Sequence, residues 1–310
     1  MLILTEDAVF LADEAVREPE PVRVLDEAAV AGTAANGGGV AALPNGDVAL
    51  IGADGTERKE SGIGDEICCL HLLAADPLVL LIGTEPPHLY RMEQGQPARR
   101  SESFAALAVR DEWYTPWGGP PAVRSLAGSG PDVYADIHVG SIMRSADGGG
   151  SWKPVTPDLH QDVHQVAVCP AAPERVYANT ADAVFVSGDR GGSWEHRSGG
   201  LPSRYGRAVA VHPSDPDCLL ASVSRGPHAE GTGKLFRSDD AGRSWTHVRD
   251  GFPAAARDNV DTFHVAFDAA GAAWAAVEEK LYRSGDRGRR WEAVWSASSD
   301  IRVISCAAAR

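Results

Sequence analysis

The chain has few cysteines and no pattern for pairing them. Cys68, Cys69, Cys169, Cys218 and Cys306 are odd in number, two are adjacent and none forms a C-x-x-C pair. That argues against a disulfide framework and a thiolate zinc site, and makes reduced, mostly buried thiols the expectation. Basic charge is also scarce: 29 Lys and Arg stand against 43 Asp and Glu, for a net charge of −14. Such a surface repels phosphate backbones and anionic lipid, and no Lys/Arg run offers a local exception, so neither nucleic acid nor membrane is an expected partner. No apolar run approaches the roughly 18 residues of a membrane span. The opening MLILTEDAVFLADEAVREPEP has neither a basic leader nor a small-residue cleavage site, so it does not read as a secretory signal and a cytoplasmic location is expected.

What the chain does have is repetition. RSADGGGSWKPV from Arg144 returns as VSGDRGGSWEHR from Val186, RSDDAGRSWTHV from Arg237 and RSGDRGRRWEAV from Arg283. The serines fall at 145, 187, 238 and 284, at intervals of 42, 51 and 46, the period of one four-stranded propeller blade. Ahead of three of the copies stand three short runs each: VHQVAVCP, ERVYANT and AVFVS; GRAVAVHP, DCLLASV and KLFRS; TFHVAFD, AAWAAV and KLYRS. Rich in Val, Phe, Tyr and Leu and bounded by Gly, Pro and Asp, these read as strands a, b and c, counted outward. The repeated motif then falls where strand c turns back into strand d. There Asp can accept hydrogen bonds from amides of its own turn, Gly tolerates positive φ, and Trp covers the hairpin with an apolar face.

The sets Ser145/Asp147/Gly149/Trp152, Ser187/Asp189/Gly191/Trp194, Ser238/Asp240/Gly242/Trp245 and Ser284/Asp286/Gly288/Trp291 resemble the Asp boxes, or BNR repeats, of sialidase-like β-propellers, over about Ala122 to Val294. Upstream, GVAALPNGDVALIGADGTERKE and ICCLHLLAADPLVLLIGTEPPHLYRM keep the strand plan without the box. The first residues read as strands b, c and d lacking an a, and DIRVISCAAAR as a lone inner strand. Pairing them closes the ring and hides an open edge. The expected fold is all-β, a single β-propeller over 1–310 with seven four-stranded blades. The resemblance implies that the c–d hairpins lie on one face and a ligand site on the other, so the four box aspartates are scaffold.

For the opposite face, counting back from the b strands aligns His164 with Arg207, each opening an inner strand; Arg124, Arg302 and His264 open others. The b–c connections add Asp136 and His138, His228 and Glu230, Glu278 and Glu279, and Glu85 and His88. A metal ion is a candidate cofactor, with His138, His164 and His264 as ligands; HQDVH also puts His160, Asp162 and His164 at alternate positions, which share a side if extended. His138, His164 and Asp136 are the candidate catalytic groups, and Arg124, Arg207, His264, Arg302, His228 and Trp117 the candidate ligand-binding groups. The sialidase resemblance implies Arg124, Arg207 and Arg302 as a carboxylate clamp, with Asp136 as acid and Tyr205 as nucleophile. No Arg-Ile-Pro signature stands near the start, and seven blades depart from the sialidase six. Any other glycosidase needs two carboxylates, available among Asp136, Asp162, Asp261, Glu278 and Glu279. In RDEWYTPWGGPP, Trp113, Tyr114 and Trp117 lie outside any box and suit either sugar stacking or packing between blades. The function expected is binding of a small polar or anionic ligand, such as a carbohydrate or carboxylate, with catalysis left open. The alternatives are a glycoside hydrolase and a noncatalytic scaffold for a protein partner.

Overall fold

The computed structural model describes residues 1–228 and 231–307. Its strands form seven four-stranded antiparallel sheets, the blades of a β-propeller. Blade 1 is made by both termini: inner strand Ile301–Ser305, then Leu2–Thr5, Val9–Leu11 and Val22–Leu25. Leu2, Ile3 and Leu4 pair with Ser305, Ile304 and Val303, closing the ring as expected. The inner strands of blades 2 to 7 are Ala31–Ala35, Glu66–Ala75, Val123–Ser129, Val163–Cys169, Tyr205–His212 and Val265–Phe267. Apolar side chains of neighbouring blades interdigitate: Tyr134 and Ile142 of blade 4 share one buried cluster with Val166, Val176 and Phe185 of blade 5.

The four boxes share one hydrogen-bond pattern. The hydroxyls of Ser145, Ser187 and Ser238 accept the amides of Gly149, Gly191 and Gly242, all at 2.8 Å, and Ser284 accepts that of Gly288 at 2.9 Å. Each serine donates to its aspartate at 2.7–2.8 Å. Each aspartate then accepts the amide four residues on, at 2.8 Å. The glycines sit at φ between 82° and 90°, a region closed to most side chains. A Cβ on Gly191 would also stand 2.7 Å from Val155, and one on Gly288 2.8 Å from Leu220, both in the preceding blade. The turn therefore presses onto its neighbour. Its backbone meets the a–b turns as well, with Arg190 donating to Glu174 at 2.8 Å and Ala241 to Asp217 at 2.9 Å. Boxes and a–b turns thus share one face, and b–c turns and d–a connections take the other.

Blade 7 departs from expectation. TFHVAFD reads as a full inner strand, yet pairing begins only at Val265. The residues before it cross the central tunnel instead. Thr262 Oγ1 donates to the His164 carbonyl at 3.0 Å, the Phe263 amide donates to Gln165 Oε1 at 3.2 Å, and the Phe263 carbonyl accepts the Ile304 amide at 2.9 Å. Phe263, at φ 63°, packs against one apolar cluster of blades 1 and 2 and another of blades 3 and 4.

Two outcomes are expected of the boxes. Donors from Ser151 and Ser145 hold the Asp147 carboxyl down to about 2, and Ser193 and Ser187 likewise lower Asp189. A folded-state pKa below the unfolded one stabilises above the unfolded value and is lost as pH falls through the folded one. Acid unfolding should therefore steepen between about pH 4 and pH 2, and Asp147→Asn/Asp189→Asn should flatten that limb in circular-dichroism titrations. Ser238→Ala, which leaves the Gly242 amide unpaired, should cost about 1–3 kcal/mol in urea unfolding.

Candidate functional site

The face opposite the boxes opens into a cavity of about 740 Å³ lined by Arg124, His138, His264, Arg302, His228 and Trp117 together with Glu85, Asp261, Glu278 and Asp300. His138 caps the b–c turn of blade 4, its amide bound to the Ala122 carbonyl at 2.9 Å. Arg124 Nη1 lies 3.0 Å from His138 Nε2. A guanidinium only donates, so Nε2 accepts and the imidazole is neutral. Burial, aided by Arg124, pushes its pKa down to about 3.

Asp162 ends the connection into blade 5 and turns to the same spot, its Oδ1 3.6 Å from His138 Nε2 and 3.3 Å from His164 Nε2. His164 is fully buried. Its Nδ1 lies 2.5 Å from the Gly206 carbonyl, an acceptor only, so the proton sits on Nδ1 and Nε2 keeps a lone pair. Gly206 is required there, because a Cβ would fall 1.7 Å from Asn179 Oδ1. Ring contacts run through the site: Trp117 to His138 at 4.8 Å, His138 to His164 at 5.8 Å and His164 to Tyr205 at 4.9 Å between centroids. The Arg207 guanidinium stands over Tyr205 and 3.5 Å from Asp261.

The charges bias one another. Burial and the nearby Arg207 lower the Arg124 pKa. Burial would raise Asp261, but Arg207 and His264 outweigh it and hold the carboxyl below its usual range. Glu85 goes the other way, raised by burial and by Glu66.

The structure corrects several sequence expectations. Asp136 is not in the mouth: it is fully buried, accepting the Ser125 amide at 3.2 Å and the Ser125 hydroxyl. Ser125 Oγ in turn accepts the Val166 amide of blade 5 at 2.9 Å. Counted from the partner of each box serine, the same register position carries Asn179 in blade 5 and Ser222 in blade 6. Asn179 donates to Ala208 and Ser222 carbonyls at 2.7 and 2.9 Å, and Ser222 to Val260 at 2.6 Å. This is a strut between blades, out of reach of a substrate. His264 lines the cavity, but its Nδ1 accepts the Asp261 amide at 3.2 Å. Among the described residues, the group whose ligand atoms lie within 4.8 Å of one another is His138, Asp162 and His164, so Asp162 takes the place given to His264.

The remaining candidates separate. His164 and Arg207 are not among the residues that line the cavity. Arg302 lines the cavity while paired to Glu6, and His228 is exposed on the rim; Glu230 lies outside the described residues. His160 accepts the Asp162 amide at 3.1 Å, and His88 pairs with Asp65 at 2.7 Å. Trp113 packs on Phe104, whereas Trp117 is 60% exposed at the mouth. Sequence reasoning missed Arg257, Asn259 and Asp300, which also line the cavity; they fall in connections with no repeat register to mark them.

Burial pushes the Asp136 carboxyl up to about 7. For an acid raised in the folded state, the penalty is absent below the unfolded pKa and grows as pH rises to the folded one. Asp136→Asn, the residue blade 5 uses here, should melt no lower than the parent at pH 8 and lose less stability between pH 5 and pH 8 in thermal scans.

Comparison with known proteins bears on this geometry. The family model described as Sortilin, neurotensin receptor 3 (Sortilin-Vps10) matches residues 140–256. A probable oligoxyloglucan-reducing end-specific xyloglucanase of Neosartorya fischeri is 27% identical over 222 residues, 64% of this chain and 26% of that protein. The chain spans between 20% and 26% of the length of the curated relatives it matches. Among solved structures, an ancestral GH74 enzyme superposes with TM-score 0.66 at 14% identity, covering 87% of this chain and 39% of that one. YCF48 from Cyanidioschyzon merolae gives TM-score 0.58 at 15% identity, covering 97% and 90%. These likenesses support a β-propeller superfamily, and the curated relatives are xyloglucanases. Among the described residues no helix is long and apolar enough to cross a membrane.

Proposed function

We propose that the mouth binds a carbohydrate and hydrolyses a glycosidic bond. The observation that carries this reading is a pair of cavity carboxyls biased in opposite directions, Glu85 toward the protonated form and Asp261 toward the ionised one. Acid and base roles in glycoside hydrolysis need that division. Glu85 is the general acid and Asp261 the base or nucleophile. Trp117 offers a flat apolar face for a sugar ring, and Arg302, His228 and Asn259 offer groups for its hydroxyls. The xyloglucanases among the relatives support the substrate class.

A second feature narrows the ligand. Arg124 is largely enclosed, and its polar partner is the neutral His138. Among the described residues no carboxylate forms an ion pair with it, so an anionic group such as a sugar carboxylate matches it.

Release of reducing ends from xyloglucan, β-glucan and uronic-acid oligosaccharides tests the proposal. Turnover should fall about 100-fold or more in both Glu85→Gln and Asp261→Asn, and should decline as pH rises through the Glu85 pKa. No turnover on any of these, or turnover indifferent to both substitutions, overturns it.

A further inference from the structure

We propose that His138, Asp162 and His164 form a binding site for a divalent first-row transition metal, a reading independent of glycoside hydrolysis. Three acceptor atoms converge there with too few donors among them. His164 Nε2 and Asp162 Oδ1 are both buried and without a hydrogen-bond partner, although 3.3 Å apart. The Gly206 carbonyl holds the His164 proton on Nδ1, so the fully buried Nε2 lone pair points at a carboxylate oxygen. Two lone pairs facing each other at that distance repel unless a proton or a metal cation lies between them.

The spacing about Asp162 fits a metal, and all three ligand atoms lie within 4.8 Å of one another. Ligand bonds of about 2.0–2.2 Å in a tetrahedron put neighbouring donor atoms about 3.4 Å apart. Asp162 Oδ1 lies 3.3 Å from His164 Nε2 and 3.6 Å from His138 Nε2. Two imidazole nitrogens and one carboxylate oxygen suit zinc, cobalt, nickel or iron; calcium and magnesium favour all-oxygen shells. The His164 Nδ1–H bond to a backbone carbonyl is the kind of outer contact that orients a ligating imidazole. His138 and Asp162 keep 18% and 21% of their side chains exposed, so the site opens toward the mouth.

Arg124 is the competitor. Its Nη1 caps the His138 Nε2 lone pair at 3.0 Å, and a metal binding there displaces it. Guanidinium and metal therefore exclude one another, and removing the guanidinium should favour the metal.

Chelator-stripped protein titrated with Zn²⁺ by calorimetry and with Co²⁺ by visible absorption tests this without any substrate, so it and the hydrolase reading can fail separately. The expected result is one equivalent per chain with a Co²⁺ ligand-field band. Asp162→Asn and His138→Gln, both partly exposed positions, should weaken affinity about tenfold or more. Arg124→Gln should tighten it about tenfold, and His264→Gln should leave it unchanged. Absence of a stoichiometric site, affinity untouched by Asp162→Asn and His138→Gln, or no tightening in Arg124→Gln overturns the proposal.

Discussion

The structure depends on one seam, where Leu2, Ile3 and Leu4 pair with Ser305, Ile304 and Val303. A ring of sheets has no free inner edge only if its first and last strands meet. Chain ends nearly 300 residues apart supply that meeting, and Leu2, Ile3 and Leu4 are wholly enclosed once it forms. The seam also shapes the mouth. Ile301 and Arg302, which begin the closing strand, and Asp300 just before it line the same cavity as His138 of blade 4 and Trp117 of the connection leading into it. The site is thus a property of the closed ring.

Around the ring, the two faces are held by different means. On one face, local turns are satisfied within each box and press on the preceding blade. Deeper in, buried polar side chains at one register position, Asp136, Asn179 and Ser222, bind backbone groups of their own and adjoining blades. Each directional bond in a low-dielectric interior penalises slippage of one blade past the next. With boxes and struts carrying the scaffold, the opposite face is free to hold imidazoles, guanidiniums and carboxylates in mutual tension.

Much of this was legible in the sequence, for a physical reason. A box is a contact between residues at most seven positions apart, so its chemistry is written contiguously, and the strand triplets before it are equally local. Even the box-free blades 2 and 3, and the division of blade 1 between the termini, followed from strand order. The site was less legible. Asp136 sits next to a turn in sequence, but whether its side chain faces the mouth or a neighbouring blade depends on Ser125 and Val166. His164 was aligned with Arg207 correctly, yet its partner Asp162 gains its role only through His138, on another blade. His264 was read as opening a strand because nothing in TFHVAFD announces that its first residues leave the sheet.

That detour has a consequence. Phe263 borders both the upper cavity and a second one of about 570 Å³ on the box side, and hydrogen bonds on both flanks fix it there. Phe263 therefore stands between the two openings of the ring. A chain end entering from above meets the Phe263 segment before it reaches the box side, so that residue sets how deep a ligand can sit.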